Sequence, residues 1–200
     1  ADLAANGITE GGDGPTLTIE AGATLAFESN SDFIIINRGS QIIANGTAAA
    51  PITITSVSDV NGTVLPEAVQ QWGGIVINGF GVSNKCSYDG IRGEPGFQLT
   101  PGTECSIEAE GSVGDDESQY GGDNDADDSG ILRYVIVKHT GATVGNGDEL
   151  NGISFGGVGS STVIENLQVY STYDDGVEMF GGSVDIMNLV ALYVRDDSID

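Results

Sequence analysis

The sequence predicts an all-β solenoid, in which the chain winds through stacked coils that each contribute short strands. Near the C-terminus, segment 164–170 (IENLQVY) reappears as segment 186–192 (IMNLVAL), 22 residues later. The acidic pairs that follow keep this offset, with Asp175 and Asp197 in equivalent positions. Repeats of a few tens of residues bury their apolar faces against their neighbours, so we expect successive coils to stack.

The first 80 residues read as short strands separated by Gly, Asn or Asp. The predicted strands are 17–19, 25–27, 33–36, 41–43, 51–55 and 72–79. They are short and evenly spaced, as in all-β proteins, and several breaks are longer than the two-residue turns of hairpins. A solenoid, whose strands turn a corner at each break, fits this pattern better. No amphipathic helix longer than about two turns is expected.

The repeats resume at Ile131 after a long interruption. Segment 132–137 aligns with segment 164–169 at an offset of 32, so this coil contains about ten extra residues, which we expect in the loop 141–149.

Two glycine-rich segments predict equivalent corners. Ser154–Gly157 and Met179–Gly182 each contain a phenylalanine, expected inside, followed by two glycines where the backbone bends. Asn166 and Asn188 are expected to form a ladder of side-chain amides in a turn.

Length and charge narrow the function classes. Two hundred residues fit one domain, 1–200, and 30 acidic against six basic residues give a net charge of −24. This charge argues against binding to nucleic acid or anionic membranes. No apolar segment is long enough to form a transmembrane helix. Ala1 follows either a removed signal peptide or more chain, and the last repeat is interrupted at Asp200, as expected of a piece of a longer protein.

An insertion of about 82–130 separates the two sets of repeats and contains both cysteines. Cys86 and Cys105 flank a loop with prolines and glycines, and neither has a His or Cys partner at zinc-ligand spacing. A disulfide closing this loop is expected, which places the protein in an oxidising compartment; two free thiols are the alternative.

The second half of the insertion is strongly acidic, with nine carboxylates in residues 108–128. Asp123, Asp125 and Asp127 have the alternating spacing with which a loop wraps Ca²⁺, and Asp128 follows them. An EF-hand is excluded because, counted from Asp123, position six of the loop lacks Gly and position twelve lacks Glu. A simpler Asp-rich Ca²⁺ loop and a merely solvated acidic loop both remain open.

Several segments resemble the right-handed parallel β-helix proteins, the pectin-lyase-like group in the broad sense. They are 16–27 (TLTIEAGATLAF), 37–47 (NRGSQIIANGT), 72–77 (WGGIVI), 151–160 (NGISFGGVGS) and 174–182 (DDGVEMFGG). The resemblance covers about 15–80 and 107–200. It implies a right-handed parallel β-helix and a secreted or cell-surface protein of a Gram-negative-type bacterium. It implies little about activity.

The acidic pairs after the repeats are the candidate catalytic residues. In a stack of 22-residue coils, Asp174 and Asp175 lie about 4.8 Å from Asp196 and Asp197. Carboxylates at such spacing raise one another's pKa, recruit a cation or cleave glycosidic bonds. Polygalacturonases of this fold set Asp residues on successive coils, but this chain lacks their Gly-His-Gly and Arg-Ile-Lys elements. Carboxylates that cap the turns are the structural alternative.

Two other residues have structural and functional readings. His139, the single histidine, is expected to be structural rather than a general base. Trp72 suits either a coil corner or a sugar-stacking platform.

Two functions follow from the sequence. The first is a non-enzymatic extracellular module of the stalk, adhesin, filament or surface-layer type, stabilised by Ca²⁺ and associating end to end or binding an extracellular glycan. The second is a glycan-active enzyme, a glycosidase or polysaccharide lyase, that uses the stacked Asp residues.

Overall fold

The computed structural model describes residues 2–111, 118–144 and 149–200, which form five stacked coils and one insertion. Segments 112–117 and 145–148 lie outside the described residues, and with them parts of the acidic run and of the loop 141–149.

Coils 1 and 2 precede the insertion. Their elements are β1 (Thr16–Ile19), β2 (Thr24–Phe27), β3 (Ile34–Ile36), β4 (Gln41–Asn45), β5 (Ile52–Ser56), α1 (Val57–Val60) and β6 (Ile75–Asn78). A short 3₁₀ helix, Ala4–Asn6, lies before them. The single turn of α1 begins where the Ser56 hydroxyl accepts a hydrogen bond from the Asp59 amide.

The insertion contains two short antiparallel pairs, and the last three coils follow it. The pairs are β7 (Tyr88–Asp89) with β8 (Gln98–Leu99), and β9 (Ile107–Glu108) with β10 (Gln119–Tyr120). The strands of coils 3 to 5 are β11 (Gly130–Thr140), β12 (Ile153–Gly156), β13 (Val163–Thr172), β14 (Val177–Phe180) and β15 (Ile186–Val194).

Parallel pairing between coils builds three sheets. Sheet 1 joins β1 and β4 to the first halves of β11, β13 and β15, and sheet 2 joins β2 and β5 to the second halves. Each long strand bends between its halves at a residue with positive φ, namely Tyr134, Asn166 or Asn188. Sheet 3 contains β3, β6, β12 and β14. The chain is therefore a parallel β-helix, as the sequence predicted.

The register agrees with the offsets in the sequence. Leu167 pairs with Leu189 at an offset of 22, and Leu132 pairs with Ile164 at an offset of 32. The connection from β11 to β12 spans residues 141–152, against only 173–176 from β13 to β14, so most of the extra length lies where it was predicted. The Asn188 amide donates to the Asn166 side chain at 3.1 Å, which confirms the asparagine ladder.

One prediction about the corners is wrong. Phe155 pairs with Met179, not with Phe180, and is fully buried in the core between the three sheets. Phe180 pairs with Gly156 and lies on the outer face of sheet 3 against Tyr120. Aligning the two Gly-Gly pairs shifts the register by one residue, and such a shift exchanges the two faces of a strand.

The insertion packs on the outer face of sheet 3. Val76, Ala109, Tyr120 and Leu150 form a second buried apolar cluster there. Gly156 makes room for the Tyr120 ring, because a Cβ at this position would lie 2.7 Å from its Cγ. The Cys86–Cys105 disulfide is present and closes the first loop of the insertion, as predicted.

The β-helix has open edges within the described residues. The strands of coil 1 and β15 pair on one side only, and Leu17, Val190 and Leu192 are exposed there. End-to-end association stays a prediction. Among the described residues, no helix has the length and hydrophobicity needed to span a membrane.

Candidate functional site

The corner between β13 and β14 carries the strongest acidic feature of the fold. Asn151, Asp175 and Asp197 occupy equivalent places on coils 3, 4 and 5. The Asp175 amide donates to Oδ1 of Asn151 at 3.1 Å, and the Asp197 amide donates to Oδ1 of Asp175 at 2.9 Å. The side chains of Asn151 and Asp175 thus each cap the next coil, which agrees with the turn-capping interpretation of Asp175. Of the two carboxylate oxygens of Asp175, only Oδ1 accepts a hydrogen bond from the described residues.

Glu178 extends this acidic corner onto the outer face of sheet 3. It lies on β14 between the inward-facing Val177 and Met179, and it pairs with Ser154 of the preceding coil. The Asn151 side-chain amide donates to Oε2 of Glu178 at 2.6 Å and also to the Ser154 hydroxyl at 3.1 Å. Asn151 therefore connects the capping column to Glu178.

Carboxylates from distant segments surround the same corner. The charge of Glu110 in the insertion acts on Glu178, and the charge of Glu149 acts on Asp174. We call this group the acidic site, and it consists of Glu110, Glu149, Asp174, Asp175, Glu178, Asp196 and Asp200. None of the ion pairs seen in the described residues involves a member of the site.

Burial and mutual repulsion make ionisation of the site unfavourable. Burial, followed by the charge of Glu110, raises the pKa of Glu178 to about 8. Burial and the charge of Asp175 raise the pKa of Asp174 to about 6. The pKa of Asp175 is also raised by burial, although the hydrogen bond from the Asp197 amide opposes the change. A bound cation relieves this repulsion without protonation.

Two overlapping sets of three carboxylates have the geometry to hold such a cation. Asp174, Asp175 and Asp196 form one set, and Asp175, Glu178 and Asp200 form the other. In each set, one oxygen per residue lies within 4.8 Å of the others. Each set joins coil 4 to coil 5, and Asp175 belongs to both. Carboxylate oxygens are the ligands that Ca²⁺ prefers.

An aromatic cleft of about 600 Å³ lies beside the end of β14, where Met179 and Phe180 line it. It lies between the insertion and sheet 3, and Phe180 and Tyr120 line it from the sheet side. Tyr88 and Phe97 stack on each other at its opposite wall, with ring centroids 5.1 Å apart. Lys85 is also a lining residue. The volume is that of a small-molecule site.

The family of the chain is decided by a family model over almost its whole length. The model described as "pectate-lyase like beta helix domain" matches residues 3–200. The chain belongs to this family. No curated protein and no solved structure is significantly similar to it. Membership agrees with the resemblance seen in the sequence but supplies no activity, so the chemistry of the site has to be argued from its residues.

The four aspartates of the predicted Ca²⁺ loop accept hydrogen bonds from donors in different segments of the chain. Asp123 accepts a hydrogen bond from Leu99 N, Asp125 from Val82 N and Arg92, Asp127 from Gly11 N and Phe80 N, and Asp128 from Gly130 N. Asp127 is fully buried, and burial raises its pKa. The four do not form a three-carboxylate set in the described structure.

The remaining predicted residues have structural surroundings. His139 is buried, with Nδ1 at 2.5 Å from the Ala68 carbonyl oxygen and Nε2 at 3.2 Å from Asp59. Trp72 is fully buried and stacks on Phe27, so it offers no platform for a sugar.

The sequence analysis missed Glu178, Asn151, Glu110 and Glu149. Glu178 had a visible signal, because it alternates with inward-facing Val177 and Met179 and follows Asp174 and Asp175 closely. Glu110 lies in the insertion and Glu149 in the loop before β12, both outside the repeats, so the spacing of the repeats does not indicate that they act on this corner.

We predict that, in the absence of divalent cations, the protein loses stability as the pH rises from about 5 to 8. The pKa of Glu178 is raised from 4.5 to about 8 on folding, so the folded state binds more protons in this range and deprotonation destabilises it. Urea unfolding at several pH values in EDTA measures the slope. Glu178→Gln should reduce it, whereas Asp185→Asn, at an exposed position, should not. Equal slopes in all three proteins would contradict the assignment.

Proposed function

We propose that this protein is an extracellular, non-enzymatic binding module whose β-helix is stabilised by Ca²⁺ at the acidic site. The observation that carries the proposal is the pair of overlapping three-carboxylate sets that span coils 4 and 5. A cation there neutralises like charges that the fold forces together and links two coils at the same point.

Two further features support this proposal. The disulfide is compatible with an oxidising, extracellular location. The acidic site also has no Lys or Arg ion-pair partner among the described residues, so no cationic side chain competes with a metal ion for its oxygens. We propose that Ca²⁺ binds at Asp174, Asp175, Glu178, Asp196 and Asp200 rather than in the loop of Asp123 to Asp128, whose carboxylates do not come together in a set of three.

Calcium is expected to raise the melting temperature. At a Ca²⁺ concentration of roughly 100 times Kd, the shift relative to EDTA should be about 5–10 °C for a chain of this size. Asp175→Asn should abolish most of the shift, because it removes a charge shared by both sets. The amide oxygen should still cap the Asp197 N–H, as Asn151 caps Asp175 in the preceding coil. Differential scanning calorimetry measures the shift.

Two control variants locate the ion. Asp185→Asn should retain the shift, since Asp185 is exposed and belongs to neither set. Asp123→Asn should retain it as well. A shift that disappears in Asp123→Asn and persists in Asp175→Asn would instead locate Ca²⁺ in the loop, and no shift in the wild type would refute the calcium proposal.

A glycan-active enzyme is the second candidate, and a different observation favours it. One oxygen of Asp175 and one of Glu178 lie within 4.8 Å of each other, near the separation of about 5 Å found in retaining glycosidases. The aromatic cleft at the end of β14 offers stacking surfaces for sugar rings, and Lys85 offers a positive charge for an acidic sugar.

Release of reducing ends from neutral and acidic polysaccharides tests this candidate. If the pair is catalytic, Asp175→Asn and Glu178→Gln should each lower kcat by about 100-fold or more, and Asp185→Asn should leave it unchanged. Activity that survives both substitutions would remove the pair from any mechanism. Binding of a glycan without turnover would favour the module.

A further inference from the structure

We propose that the aromatic cleft binds a small aromatic carboxylate, with its ring stacked against the walls of the cleft and its carboxylate group paired with Lys85. This inference rests on the proposed function, because it gives the binding module a class of ligand. The ligand site is separate from the proposed Ca²⁺ site, since in the described structure no residue of the acidic site lines the cleft.

Four aromatic side chains supply the stacking surfaces of the cleft. Tyr88 and Phe97 stack in the wall that the insertion forms, with ring centroids 5.1 Å apart. Tyr120 and Phe180 line the side of sheet 3, with centroids 6.0 Å apart. Tyr120 is buried, whereas the other three rings are partly exposed and so accessible to a ligand. A flat aromatic ring that stacks on such surfaces gains affinity beyond the apolar area that it buries.

Several contacts of the described chain fix the wall formed by the insertion. The Tyr88 hydroxyl donates to the Gly122 carbonyl oxygen at 2.9 Å. Nη2 of Arg92 donates to the Gly182 carbonyl oxygen, shortly after β14, at 2.7 Å. The disulfide closes the same loop. A cleft with fixed walls loses little conformational entropy when a ligand binds, which favours a small ligand.

The charges that line the cleft are the reverse of those in the rest of the chain. Two of the six basic residues, Lys85 and Arg92, line it, whereas no Asp or Glu of the described residues does so in a chain with 30 acidic residues. Arg92 is paired with Asp125. Lys85 is exposed and forms no ion pair within the described residues. The cleft therefore offers one unpaired positive charge, which a carboxylate complements.

The polar groups of the cleft favour an aromatic acid over an acidic sugar. A sugar ring carries several hydroxyls, and each hydroxyl that is buried without a partner costs free energy. The Tyr88 hydroxyl is already engaged in two hydrogen bonds, and the Ser83 hydroxyl accepts one from the Lys85 amide at 3.3 Å. Among the described lining residues, Asn84 is the one with an amide side chain. An aromatic ring needs no such partners, and its single carboxylate needs only Lys85.

Titration of the full chain with cinnamate, followed by NMR chemical shifts, tests the inference. Cinnamate should bind with a Kd of roughly 0.1–1 mM, as expected for so small a ligand. Cinnamyl alcohol keeps the ring and lacks the charge, whereas cyclohexanepropanoate keeps the charge and lacks the flat ring. Each should bind about threefold to tenfold more weakly than cinnamate. Tighter binding of galacturonate than of cinnamate would overturn the inference and favour the glycan-active candidate.

Three variants locate the ligand. Lys85→Gln should weaken cinnamate binding by about threefold to tenfold and leave the binding of cinnamyl alcohol unchanged, because it removes only the charge. Arg195→Gln removes one positive charge outside the cleft and should leave both unchanged. Phe180→Leu, which removes a ring from the wall, should weaken both ligands. Equal effects of Lys85→Gln and Arg195→Gln on cinnamate, including no effect of either, would overturn the inference.

The outcome is distinguishable from that of the proposed function. Absence of cinnamate binding by the wild type would overturn the inference alone and leave the Ca²⁺-stabilised module standing. A missing Ca²⁺-dependent shift in the melting temperature would refute the calcium proposal, whatever the result with cinnamate.

Discussion

Parallel pairing in strict register between successive coils is the constraint on which the rest of this structure depends. It stacks Leu132, Ile164 and Ile186 in one column inside the helix and sets the Asn166–Asn188 amide ladder in another. The same constraint gives no freedom to separate like charges. Wherever a carboxylate recurs at the repeat period, its neighbour lies one strand spacing away, about 4.8 Å.

The chain handles these stacked charges in two ways. One oxygen of Asp175 accepts the Asp197 amide, which offsets part of the cost of its charge. The remaining repulsion raises the pKa of Asp174, Asp175 and Glu178, and it is increased by Glu110 from the insertion. A chain with only six basic residues has few cationic side chains for such a site, and none forms an ion pair with it in the described structure. A metal cation is therefore the partner that we propose for it.

The fold was predictable from the sequence because the spacing of apolar residues in a repeat determines which residues pair between successive coils. The offset of 22 placed Leu167 beside Leu189, and the cysteine spacing indicated the disulfide. The predicted register is wrong at Phe180, because one additional residue before the second Gly-Gly pair moves this side chain to the outer face of sheet 3. Only part of the acidic site was predictable from the sequence. Asp174, Asp175 and Asp196 follow the repeat, whereas Glu110 belongs to the insertion, whose tertiary packing cannot be predicted from the spacing of residues.

Engineered cross-linking tests the central claim, the register between coils 4 and 5, most directly. Gln168 and Val190 are register partners on the outer face of sheet 2, at a Cα separation that a disulfide spans. The double variant Gln168→Cys with Val190→Cys should therefore form a disulfide under mild oxidation, as read by mass spectrometry, with the native disulfide intact. Gln168→Cys with Leu192→Cys, displaced by two residues along β15, should not. Efficient cross-linking of the displaced pair and none of the register pair would contradict the stacking on which the acidic site is built.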